Sequence, residues 1–284
     1  LKHLLVGFLL SISLLANAQD IHFSQFYLSP LNLNPAMTGI MNCNIRLVGN
    51  YRNQWASVLK SNAYSTYSVS YDQKIPVGRY DYFGIGGTLW GDKAGELNFA
   101  TVTGKLSGSY SKRMGGGRKE SHYLVVGAEA GLSQRSLDFT LAKWGTQHDG
   151  QGGYDPDAPS YENGNFDDFE FLFADLAAGL LWFSVWDENN LYVGGSFHHL
   201  NRADQSFNSK NNDYIYSRFT AHVGGEFEVT PRVGLVPGII VMKQGPSFQL
   251  NSGTSLKFTL GHGKGRFSNY QAFHVGTWVR ISNK

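Results

Sequence analysis

The chain has 284 residues with 24 Lys and Arg against 22 Asp and Glu. That near balance argues against nucleic acid as a partner and against electrostatic steering by net charge. A lone cysteine, Cys43, leaves no disulfide framework. The richness in Gly, Phe and Tyr, with few prolines, suits strands, interfacial aromatics and closely approaching backbones.

Residues 1–18 read as a secretion signal: Lys2, an apolar run from Leu4 to Leu15, and Ala16-Asn17-Ala18 ahead of an expected cleavage before Gln19. The run is shorter than the ~20 residues of a spanning helix. The residue directly after the cleavage site is Gln19 rather than cysteine, which disfavours a lipoprotein. The remaining chain has no second long apolar stretch, so insertion into a membrane would have to be as a β-barrel.

Residues 19–42 form a separate N-terminal segment. Phe23, Phe26, Tyr27 and Leu28 give it apolar anchors, and Pro30 and Pro35 keep it out of a regular strand ladder. Asn32, Asn34 and Gly39 favour turns. Too apolar for a solvated tail and too broken for a strand, it is expected to pack inside a barrel, as a plug, or against its periplasmic rim.

From residue 43 onward, strict two-residue alternation recurs. It sets Ile45, Leu47 and Tyr51 against Arg46, Asn50 and Arg52, and Val102, Leu106 and Tyr110 against Thr101, Lys105 and Ser109. Phe219, Ala221 and Val223 oppose Arg218, Thr220 and His222, while Leu250, Leu256 and Phe258 oppose Asn251, Ser255 and Lys257. The pattern predicts strands at 43–55, 63–75, 82–91, 98–113, 122–135, 169–185, 190–200, 214–229, 232–244, 247–260 and 270–281. Most are longer than the ~5–6 residues of soluble-sandwich strands and suit tilted membrane crossings. No long amphipathic helix is predicted.

Connection lengths agree with a barrel whose N-terminus is periplasmic. Connections near 56–61, 92–97, 136–168 and 201–213 would face outward; those near 76–81, 114–121, 186–189 and 230–231 would be periplasmic turns. The trend reverses at 245–246 and 261–269. The expected fold is therefore all-β, an antiparallel up-and-down transmembrane barrel over 43–284. Eleven strands is an odd number, and Ile281-Ser282-Asn283-Lys284 lacks a closing aromatic. The reading is a larger even-stranded barrel truncated at its C-terminus.

Candidate chemistry is sparse. His198 and His199, as neighbours in a strand, should point to opposite faces and not share a metal; hydrogen-bonding histidines are the plainer reading. Asp149, Asp155, Asp157, Glu162, Asp167, Asp168 and Glu170 crowd the longest loop without a calcium-loop spacing. Gly115-Gly116-Gly117-Arg118-Lys119 lacks the Gly-Lys-Ser/Thr ending of a phosphate loop and reads as a basic turn. There is no Gly-x-Ser-x-Gly. No catalytic, metal-binding or cofactor-binding residue is assigned. Arg46, Arg52, Lys105, Glu129, Arg135, Asp175, Arg218, Glu226 and Lys257 should line the lumen. They would either cross-link it or simply keep it wet.

Two runs resemble the PorP/SprF family of type IX secretion membrane proteins. The first is Phe23-Ser24-Gln25-Phe26-Tyr27-Leu28-Ser29-Pro30-Leu31-Asn32-Leu33-Asn34-Pro35-Ala36-Met37-Thr38-Gly39. The second, Gly194-Gly195-Ser196-Phe197-His198-His199-Leu200-Asn201, is similar to the family's Gly-x-Ser-x-x-His-Leu-Asn run. Pro237 and Gly245 to Asn251 give a weaker third likeness. The resemblance implies a Sec-exported, non-enzymatic outer-membrane component that links periplasmic machinery or peptidoglycan-binding proteins, and cargo such as gliding adhesins, to the membrane. It marks Phe23, Gln25, Phe26, Asn34, Pro35, Ala36, Gly39, His199 and Asn201 as the plug and partner signature. A FadL-like or porin-like solute barrel is the alternative, since Asn34-Pro35-Ala36 fits both; a soluble surface β-domain is the third.

Overall fold

The computed structural model describes Asp20 and residues 26–117, 119–138, 141–159, 170–207, 212–261 and 271–283. Within them eleven strands form one sheet in chain order, each antiparallel to the next. They are β1 (Ile45–Gln54), β2 (Tyr64–Val77), β3 (Asp81–Ala94), β4 (Phe99–Gly115), β5 (Glu120–Ser136) and β6 (Glu170–Trp186), followed by β7 (Asn189–His198), β8 (Arg218–Thr230), β9 (Val233–Gln244), β10 (Ser247–Gly261) and β11 (Gln271–Ser282). β4, β5 and β6 each run 17 residues, beyond the ~9–11 needed for one crossing. Among the described residues the α-helical turns are α1 (Pro30–Leu33) and α2 (Ala56–Leu59).

Burial is inverted relative to a water-soluble core. Along β4, Thr103, Ser107, Ser109 and Ser111 are buried whereas Leu106 is 75% exposed. Beside it the Lys105 side chain is only 8% exposed. The same inversion recurs on β2, where Ser68, Ser70 and Asp72 are buried and Val69 and Tyr71 are exposed. Polar in and apolar out is the pattern of a barrel in lipid.

The sheet is curled. Laid flat, eleven strands at ~4.8 Å spacing would span roughly 48 Å. Yet Asn50 of β1 donates to the Leu28 carbonyl at 3.3 Å, while the adjacent Tyr27 stacks on Trp278 of β11 at 5.1 Å. The two edge strands thus approach a single dipeptide from either side. They do not pair with each other: the sheet order begins at β1 and ends at β11.

Most strand ends shift by one to three residues from the predicted ones, and two departures at the long-loop end have a visible cause. β7 stops at His198 rather than 200, because His199 takes φ 56° and Leu200 instead donates to the Leu176 carbonyl. β8 begins at 218 rather than 214, because Tyr214 bridges Asp204 and Ile215 N–H donates to Ala203. The short connections 78–80, 116–119, 187–188 and 231–232 lie at one end, hereafter the short-turn end. The long ones, 55–63, 137–169 and 199–217, lie at the other, with 95–98 among them. The reversal at 245–246 and 262–270 also stands.

Candidate functional site

Residues 26–41 cross the inside of the curl. Pro30 opens α1 and Pro35 opens a 3₁₀ turn through Met37, each where the missing N–H costs nothing. Leu31, Asn34 and Ala36 are at most 1% exposed. Asn34 caps the second turn: its Oδ1 accepts from Ala36 N–H at 2.9 Å. That fixes the amide, so Nδ2 donates to the strand carbonyls of Leu180 and Gly195 at 3.1 and 3.2 Å and faces His222 Nε2 at 3.0 Å. Since Nδ2 is a donor, His222 Nε2 accepts and its proton resides on Nδ1. The fit is close enough that a Cβ on Gly179 would fall inside Asn34 Oδ1.

A non-regular backbone inside a barrel has no ladder, so side chains must satisfy its carbonyls. They do so one after another. Arg218 Nη2 donates to Asn32 O at 3.2 Å and Ser196 Oγ to Leu33 O at 2.8 Å. Ser109 Oγ donates to Thr38 O at 2.6 Å and Lys74 Nζ to Met41 O at 2.7 Å. Arg46 reaches Met37 O at 3.0 Å and Ile40 O at 3.2 Å. Its guanidinium also grips Asp72 through two contacts of 2.9 and 2.7 Å, a bidentate geometry that only arginine supplies. The second Asp72 oxygen accepts the Gly39 N–H at 2.7 Å. Gly39 has φ +73°, and a Cβ there would lie 2.7 Å from Gly84 Cα, so this turn requires glycine.

At the long-loop end the fastening is ionic. Lys105 Nζ lies 3.1 Å from Glu129 and 2.8 Å from Asp175. His199 Nδ1 meets Asp175 at 2.8 Å, and its Nε2 meets Asp20 at 2.5 Å. Arg218 Nη1 holds the same Asp20 oxygen at 3.1 Å, and the Asp20 N–H donates to Gln244 Oε1. Three carboxylates alternate with three bases, so charge closes only when His199 is protonated. Burial works against that charge, but the flanking Asp20 and Asp175 carboxylates prevail and raise its pKa above the usual histidine value. Burial likewise opposes ionisation of Asp20, yet His199 and Arg218 hold it far below the ordinary carboxylate range.

Several signature residues converge here. Asn34, Pro35 and Ala36 sit at the centre of the crossing and Gly39 at its short-turn exit. Phe26 packs edge-to-face on Trp278 at 5.2 Å. Phe23 and Gln25 lie outside the described residues. Asn201 stands apart from the segment: it continues the pairing of β6, accepting from Leu176 N–H and donating to Ala174 O. The expectation that His198 and His199 face opposite sides is overturned. The strand ends between them, and both turn inward, at 0% and 6% exposure. Asp72 and Trp278 were not singled out in the sequence, and Ser196 and Asp20 only as members of the family run and of the N-terminal segment. The inward charges were, but not their pairing with the segment's backbone.

The acidic loop turns on itself: Asp149 accepts from the N–H groups of Gln151 and Gly153, and Asp155 from that of Asp157. Those backbone bonds hold the exposed Asp149 carboxyl below its ordinary range. Glu162, Asp167 and Asp168 lie outside the described residues. Among those described, no three potential ligands gather into a metal site.

The family model for type IX secretion system membrane protein PorP/SprF matches residues 15–284. No curated protein and no solved structure matches the chain. The chain belongs to the PorP/SprF family and is a membrane component of type IX secretion.

Proposed function

We propose that this type IX secretion component is a plugged, non-catalytic barrel of the outer membrane, exported by residues 1–18 and closed by residues 19–42. In this reading the short-turn end faces the periplasm and contacts secretion-machinery or peptidoglycan-binding proteins. The long loops face outward toward secreted cargo such as gliding adhesins. The barrel thereby links cargo and machinery across the membrane. The observation that carries the reading is the seated segment. The Asn32, Leu33, Met37, Thr38 and Met41 carbonyls are held by inward arginine, serine and lysine side chains, an arrangement suited to a closed structural element rather than a solute path.

The test is an affinity purification of the tagged full-length protein from detergent-solubilised outer membranes, read by mass spectrometry, beside conductance in planar bilayers. Enrichment of periplasmic type IX partners with a silent bilayer is the expected result. Recovery of the barrel alone, with solute-dependent conductance, would overturn it in favour of a transport barrel.

A further inference from the structure

The inner face is lined with hydroxyls, amides and paired charges, Arg46–Asp72 included, but one side of the short-turn end is aromatic. There Tyr82, Tyr123, Phe183 and Tyr192 face inward and, with Met37 and Ile40 of the crossing segment, line a cavity of about 530 Å³. This lies within the range of about 300–1,000 Å³ typical of ligand clefts. The Ser111 hydroxyl, 1% exposed, also lines it and has no hydrogen-bond partner. A buried hydroxyl left unsatisfied calls for an incoming polar group.

The mouth of the cavity is acidic. The β6–β7 turn contributes Asp187 and Glu188 to its lining; Lys119 of the adjoining β4–β5 turn pairs with Asp187 at 3.9 Å, and Lys74, the one cation in the lining, is held by the Met41 carbonyl. A bilayer lipid is a poor occupant, because the lining comes from inward-facing positions and turns. A sugar ring is also poorly suited: the aromatic faces are spent on each other, with Tyr123 and Phe183 stacked at 4.7 Å and 10°.

We propose that this cavity receives a peptide segment of a periplasmic partner protein, with an aromatic or branched apolar side chain as anchor. A basic flank of the segment lies over Asp187 and Glu188. A main-chain or side-chain polar group of the segment satisfies Ser111. The inference rests on the reading that the short-turn end faces the periplasmic machinery. It adds the chemistry by which one partner is gripped, since apolar anchors in a pocket carry most of an interface's energy.

The experiment places the photo-crosslinking residue p-benzoylphenylalanine at Asn190 of the full-length protein in cells and sequences the linked peptide. The expected product is a segment of a periplasmic secretion component that contains an aromatic or branched apolar residue with a basic flank. Ser121→Trp, which fills the opening, should lower its yield about tenfold or more. Glu188→Lys, at an exposed turn, should lower it severalfold. Heat-modifiable migration confirms that each variant folds. A crosslink to phospholipid, to the protein itself alone, or to a protein without such a segment overturns the proposal, as does an unchanged yield in Ser121→Trp. If the unmodified protein co-purifies with the machinery but Ser121→Trp has no effect, only the cavity assignment falls. If nothing co-purifies, the functional reading falls with it.

Discussion

At the short-turn end the crossing segment is fastened through Arg46, Asp72 and the Gly39 amide; at the long-loop end it is fastened through Asp20, His199, Asp175 and Arg218. The first set binds backbone groups with a fixed fork geometry and contains no histidine. The second is a chain of side-chain charges with a histidine in its middle. One end is therefore specified by shape, and the other by protonation.

The largest effect should come from Asp72→Ala. It strips Arg46 of its buried partner and the Gly39 N–H of its acceptor, and should cost about 3–5 kcal/mol. Denaturant midpoints in detergent would check this, and a loss below ~1 kcal/mol would mean that the fork does not hold the segment. Next is His199→Gln, expected to cost about 1.5–3 kcal/mol at pH 6. Its sign with pH follows from the raised pKa. A group whose folded value lies above its unfolded one stabilises fully below the latter, near 6.5, and loses that contribution as pH rises through the folded value. The stability gap between wild type and His199→Gln should thus shrink on alkaline titration. Asp20, shifted downward, runs the other way: its contribution is present above about 3.8 and is lost as pH falls. A pH-independent gap would show that His199 acts only by packing.

Gly179→Ala should cost about 1–3 kcal/mol by driving a methyl into Asn34. It should also release the N-terminal segment to protease. Gly49→Ala, where a Cβ meets nothing within 4 Å, is the matched control and should not. The smallest effect is Lys119→Ala, which removes a 3.9 Å pair exposed on both sides and should leave the midpoint unchanged.

Most of the sheet was legible because inward and outward positions alternate wherever lipid faces one side. Val69 and Leu106 could hardly point anywhere else. What alternation misses is where a strand stops. His199 reads as strand by pattern, and only its positive φ brings it beside Asp20. The seat was only half legible. Opposite charges at inward positions of neighbouring strands, such as Lys105, Glu129 and Asp175, could be found by eye. That Ser196 or Arg218 would serve a carbonyl of the segment could not, because a hydroxyl or guanidinium reaching backbone leaves no complementary residue in the sequence.

The bond between the Asp20 N–H and Gln244 joins residues separated by 224 positions. Such a contact is among the last a growing chain can make, since its ends meet only after β9 has been synthesised and placed. Folding rates fall as contacts become less local. Until β7 and β8 are in place, the Leu33 and Asn32 carbonyls lack the Ser196 and Arg218 donors that hold them, and the half-wrapped sheet shows an unpaired edge. Maturation of this barrel should therefore be late, cooperative and dependent on something that shields the open sheet while its own first residues wait for its ninth strand.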